Sequence, residues 1–107
     1  MIYRLRRAVE VEEDIISLAE WIARKNRAAA FRFLESVEAT ISSLRIMPRR
    51  GSIKRFAQED LGEIRSYTVR NFPNHLILYE VRGRIVWIWA VVHGARDYND
   101  ILRQRRK

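Results

Sequence analysis

Cysteine is absent from this 107-residue chain, which excludes disulfides and thiolate metal sites and agrees with a reducing compartment. Histidine is nearly as scarce. His75 and His93 stand far apart and match no recognised metal-ligand spacing. Four glycines form neither a phosphate-cradling loop nor a dinucleotide fingerprint. No metal and no other cofactor is therefore expected. No apolar run approaches the roughly 20 residues that span a bilayer, and Met1-Ile2-Tyr3-Arg4 enters a structured pattern without an apolar signal segment. The expectation is a cytoplasmic protein with no membrane partner. Lysine is short too, limited to Lys25, Lys54 and Lys107.

The excess is in arginine. Against 13 acidic residues stand 21 basic ones, for a formal charge of +8. A guanidinium offers a flat fork of donors suited to phosphate and carboxylate, so the charge implies RNA, DNA or an acidic protein segment as partner. The length fits one domain, residues 1–107, with no repeat and no low-complexity tract.

Ile2 to Ala8 reads as a first strand at or near a sheet edge. A helix follows: Glu12, Glu13 and Asp14 place negative charge in its first turn. Ile15, Leu18, Ala19 and Ile22 form its stripe, and Arg24 and Lys25 close it. Asn26 can end this helix and cap the next. The second helix is expected from Arg27 to Ile46, with Ala30, Leu34, Val37, Ile41 and Leu44 as its apolar face, widened by Phe31 and Phe33, and with Pro48 and Gly51 stopping it. So short a connection makes the helices an antiparallel hairpin. Pro48 to Gly62 reads as a basic loop with room for a short helical turn. Three strands come next: Glu63–Val69, Leu76–Val81 and Ile85–Val92. Arg70 to Asn74 forms the first turn, and Arg82-Gly83 the second. In the last strand, simple alternation puts Ile85, Trp87, Trp89 and Val91 on one face, packed under the hairpin, with Val86, Ile88, Ala90 and Val92 on the other. Tyr98 to Arg103 is a short final helix, and 101–107 a basic, partly frayed tail. The order β-α-α-β-β-β, with that helix added, is an α+β fold: a helical hairpin packed on a small antiparallel sheet.

The segment His93-Gly94-Ala95-Arg96-Asp97 closes the last strand. It resembles the C-terminal signature of the ParE branch of the RelE/ParE toxin superfamily, the plasmid-stabilisation toxins of type II toxin–antitoxin systems. Ala29-Ala30-Phe31-Arg32-Phe33-Leu34 is similar to the family's AAxxF pattern. Ile64-Arg65-Ser66-Tyr67 resembles its arginine-bearing strand, and Leu76 to Val81 its YxIxYxV strand. The resemblance implies a growth-inhibiting toxin neutralised by a cognate antitoxin with an acidic C-terminal segment. ParE-like members inhibit DNA gyrase without cleaving it or RNA; RelE-like members cut messenger RNA on the ribosome. The ending at His93 to Asp97 favours the first.

A ribonuclease of this kind needs acid–base groups and cations to steady the phosphate. His93, Arg65, Arg96 and Tyr98 are the residues from which such a constellation would be built. If the protein acts by binding alone, Trp21, which lies off the first helix's stripe, is a contact for antitoxin or target. Arg49, Arg50, Lys54 and Arg55 form the clearest basic patch, and His93, Arg96 and Arg103 complete the candidate contacts. In the structural alternative His93 bonds a backbone carbonyl, Asp97 caps the last helix and Gly94 supplies an unusual backbone angle. His75, placed in a turn, is expected to be exposed.

Overall fold

Two helices need an apolar sheet to cover their stripes, and the fold is arranged around that requirement. The computed structural model describes residues 2–54, 63–94 and 98–106. β1 (Arg4–Arg7) leads to α1 (Val11–Ala23) and α2 (Arg27–Ser43). A 3-10 turn (Pro48–Arg50) and β2 (Ser52–Lys54) follow. β3 (Ile64–Val69), β4 (Phe72–Arg82), β5 (Ile85–His93) and α3 (Asn99–Arg105) complete the chain. The sheet order is β1-β5-β4-β3-β2. Four strands run antiparallel in sequence, while β1 lies parallel to β5. Among the described residues no helix is long and apolar enough to cross a membrane.

The helical hairpin forms as its sequence directs. Glu12, Glu13 and Asp14 occupy the first turn of α1, where a helix favours negative charge. Asn26 adopts extended backbone and its side chain accepts a hydrogen bond from the Ala29 N–H at 3.0 Å, capping α2. Val11, Ile15 and Ala19 from α1 and Phe33, Val37, Ile41 and Leu44 from the second helix bury against Val69, Ile77, Tyr79, Val86, Ile88 and Val91. Phe31, read from sequence as core, is 62% exposed. It turns toward α1 rather than the sheet.

The basic loop contains one strand the sequence did not announce, β2, paired with β3. Residues 55–62 lie outside the described residues. The first sheet reversal needs only Arg70 and Asn71, which has φ 67°, so Phe72 to Asn74 belong to β4 and not to a turn. The second reversal is Gly83-Arg84, one residue later than expected, since Arg82 pairs with Ile85. Gly83 takes the left-handed φ of 57° there, as a two-residue hairpin requires. Gly94 has no such angle: among the described residues only Asn71 and Gly83 do. Its N–H donates to the Asn74 carbonyl at 2.7 Å, extending the β4–β5 ladder.

A bulge overturns the simple alternation of β5. Leu78 pairs with Ala90 and Tyr79 with Ile88, leaving Trp89 as an extra residue. Before it, Val86 and Ile88 face the helices; after it, Val91 does. Trp87 and Trp89 are therefore not under the hairpin. They stack 5.5 Å apart on the opposite face, in a second core with Ile64, Leu78, Ala90, Val92 and Leu102.

α3 closes that second core, and its last turn is anchored by ions. β1 ends opposite Ile88, so beyond it β5 has no strand neighbour on that side. Asp14 of α1 accepts the Val91 N–H at 3.1 Å, and Arg105 donates to Asp14 at 2.6 and 2.9 Å and to the Trp89 carbonyl at 3.0 Å. The ion pair thus satisfies backbone groups that the short β1 cannot reach. Arg106 holds Glu80 at 2.7 Å, beside the Trp89 indole N–H at 2.8 Å. Burial would raise the Glu80 pKa, but donors from Arg106, Trp89 and Arg82 outweigh it and hold the carboxyl below its ordinary value. Residues expected to fray from Arg103 onward instead remain helical through Arg105, because two carboxylates on other elements grip them.

The Tyr79 hydroxyl, fully buried, donates to the Pro48 carbonyl at 2.6 Å and accepts the Gly51 N–H at 2.9 Å. A Cβ on Gly51 would stand 2.5 Å from that hydroxyl and 2.8 Å from the Ser66 carbonyl. Tyr79→Phe is expected to lower unfolding free energy by about 1–3 kcal/mol, the cost of two buried partners left unsatisfied. Gly51→Ala should also destabilise, through the collision. Urea unfolding of both variants measures this.

Candidate functional site

Of the residues proposed for phosphate chemistry, the three that are described, Arg65, His93 and Tyr98, do not come together. Arg65 projects from β3 directly opposite Tyr79. Its guanidinium donates to the Arg49 carbonyl at 3.1 Å and the Gly51 carbonyl at 2.9 Å, and meets Glu63 at 3.2 Å. With 13% of its side chain exposed, Arg65 serves the 48–51 turn. His93 ends β5 opposite His75. Tyr79 lies four residue steps along β4 from His75, about 13 Å at a strand rise of roughly 3.3 Å, so His93 lies far from Arg65. Tyr98 packs in the second core, across the sheet from both. Arg96, like Ala95 and Asp97, lies outside the described residues.

His75 is the residue that sequence reasoning undervalued. It is half-buried on β4, with its ring 5.0 Å from Phe33, 6.2 Å from Phe72 and 5.3 Å from His93. Its Nδ1 is buried without a hydrogen-bond partner. Burial, and then the neighbouring His93, push its pKa below the ordinary 6.5. The signal was available: His75 shares the parity of Ile77, Tyr79 and Val81, the core face of the strand.

The binding candidates fall into two surfaces. On the hairpin, Trp21 is 59% exposed with the Arg24 guanidinium 5.4 Å from its ring. A separate groove of about 290 Å³ runs between the helices, floored by Ile16, Ala19, Ala30, Phe31 and Leu34, with Glu20 and Arg27 also lining it. Ile16 and Phe31 are both exposed, and an exposed contiguous apolar surface on a small domain marks an interaction site. On the other side of the molecule, Arg49 donates to the Tyr3 hydroxyl at 3.1 Å, Arg50 lies 4.9 Å over the Tyr67 ring, and Lys54 ends β2. Arg55 lies outside the described residues. Arg103 sits apart on α3, 4.0 Å from Asp100, with its Nε buried and unpartnered. Among the described residues no group of three or more His, Cys, Asp or Glu is placed to hold a metal ion.

Residues 5–98 match the family model described as ParE toxin of type II toxin-antitoxin system, parDE. A solved structure, the chromosomal ParDE TA system from P. aeruginosa, superimposes with a TM-score of 0.68 at 11% identity, covering 86% of this chain and 96% of that one. At that identity the likeness is one of fold. The comparison with curated proteins yields no match.

The depressed His75 pKa has a consequence for stability. A histidine favoured neutral in the folded state contributes fully above 6.5 and loses that contribution as pH falls through its folded value, because the unfolded chain takes the proton first. The thermal midpoint should fall by a few degrees between pH 7.5 and 5. In His75→Phe, which keeps the aromatic packing, the slope should flatten. Thermal unfolding followed by circular dichroism checks this.

Proposed function

Because the chain belongs to the ParE toxin family of type II toxin–antitoxin systems, we propose that it arrests growth in the cytoplasm by binding DNA gyrase, with no bond-breaking chemistry of its own, and is silenced by a cognate antitoxin. The observation that carries the non-catalytic reading is the placement of Arg65. The arginine best suited to steady a phosphate is already committed to two backbone carbonyls and a glutamate. Of the other members of a nuclease constellation, the two among the described residues, His93 and Tyr98, stand on opposite faces of the sheet. General acid–base catalysis requires its groups within hydrogen-bond reach of one reacting centre.

The antitoxin's place is the hairpin groove. Its apolar floor and exposed Phe31 suit the apolar face of an amphipathic segment, and Trp21, exposed elsewhere on α1, offers a second aromatic anchor. Arg27 in the groove wall suits that segment's acidic residues. Such a segment orders as it binds, and its affinity concentrates in a few aromatic anchors.

Purified protein added to gyrase should block supercoiling of relaxed plasmid, while total RNA from cells after brief induction shows no new 5′ ends by primer extension. Codon-linked cuts with undisturbed supercoiling would establish the RelE-like ribonuclease instead. Phe31→Asp and Trp21→Ala should each weaken antitoxin binding by about 2 kcal/mol, roughly thirtyfold, measured by calorimetry, while leaving gyrase inhibition by the free toxin intact.

A further inference from the structure

We propose that the cleft between the C-terminal half of α2 and the β3–β4 turn binds a nucleoside phosphate. The cleft encloses about 360 Å³, within the range of small-molecule sites. Arg50 reaches it from the turn before β2, and Arg70 from the β3–β4 reversal. Several other basic side chains at the sheet have work elsewhere. Arg65 holds carbonyls, Arg7 pairs with Glu38, Arg105 with Asp14 and Arg106 with Glu80. Among the described residues neither Arg50 nor Arg70 has an ion pair and no carboxylate lines the cleft.

Two unpaired guanidiniums facing one cavity match the charge of a phosphate monoester, about −1.5 to −2 at neutral pH. They also supply the several donors that its three terminal oxygens accept. Arg50 is pre-organised by its seat 4.9 Å over the Tyr67 ring. Asn71, held at a positive φ of 67°, and Thr68 add polar side chains to the rim. The inner surface is different in kind. Thr40 and Ser43 turn their hydroxyl protons to α2 carbonyls at 2.6 Å, and Pro73 and the Tyr67 ring give the apolar wall. A charged rim over an apolar wall fits a ligand with an anionic end and a flat apolar body, which is the build of a nucleotide. That nucleotide is either free or the phosphorylated end of a nucleic-acid strand.

The test is titration of the full-length protein, followed by amide NMR, with AMP, adenosine, and a tetranucleotide with and without a 5′-phosphate. AMP is expected to shift the amides of Ser43, Val69, Arg70 and Asn71 saturably, with adenosine at least tenfold weaker. Arg50→Gln and Arg70→Gln should each weaken AMP about tenfold, the scale of one lost charged hydrogen-bond partner. Thr68→Asp, which sets a carboxylate at the rim, should weaken it as much. Arg84→Gln, in the β4–β5 turn at the opposite end of β4 from the cleft, should leave AMP affinity unchanged. Unfolding midpoints within a degree or two of wild type establish that the variants are folded. Equal affinity for AMP and the phosphorylated tetranucleotide assigns a free nucleotide; a tenfold preference for the tetranucleotide assigns a strand end. The proposal is overturned if AMP does not saturate, if Arg84→Gln costs as much as Arg50→Gln, or if a glutamate-rich peptide shifts these amides and AMP does not.

Discussion

The arrangement of the functional surfaces depends on one cross-strand pair, Arg65 and Tyr79. They face each other on β3 and β4, and both direct their polar groups at the same stretch of backbone. Tyr79 engages the Pro48 carbonyl and the Gly51 N–H, and Arg65 the Arg49 and Gly51 carbonyls. Four backbone groups that no ladder satisfies are thereby paired, in a place where an unpaired one is costly. The turn so fixed presents Arg49 and Arg50 outward and leads into β2, which pairs back onto β3. The basic surface is thus built on a rigid support, and the price is an arginine withdrawn from solvent.

The second organising device is the Trp89 bulge. One extra residue lets β5 offer apolar side chains to the helices on one face and two tryptophans to α3 on the other. Asp14 and Arg105 satisfy the backbone beyond the end of β1. They thereby couple α1, β5 and α3 through a single ion pair. Arginines in this chain consequently divide into two populations. Some are structural, half-buried and matched to a carboxylate or carbonyl. Others, Arg50 and Arg70 among them, have no ion pair among the described residues and line open surface. A formal charge of +8 does not distinguish the two.

Much of this was legible in the residues. Helix periodicity, the Asn26 cap, the exposure of Trp21 and the element order all follow from local rules, and the ParE resemblance rested on motifs spread along the chain. What escaped has physical causes. A bulge inverts side-chain parity without leaving a mark in an unbroken apolar run, so the tryptophans were assigned to the wrong face. β2 is three residues long and exists only because β3 pairs with it. Arg105 and Arg106 looked like a loose tail because their partners, Asp14 and Glu80, are remote in sequence. Arg65 looked catalytic for the same reason: its acceptors are carbonyls, which every residue carries and no pattern reveals.

Arg65 is an architectural residue, tied to the Arg49 and Gly51 carbonyls and to Glu63, and the proposed binding mechanism needs nothing further of it. The most direct test of this is to compare the unfolding free energy and the toxicity of Arg65→Gln, each corrected for the folded fraction. The account predicts a loss of about 1–3 kcal/mol in stability, with toxicity per folded molecule close to wild type. Unchanged stability with toxicity abolished would contradict it, and would return Arg65 to an active site.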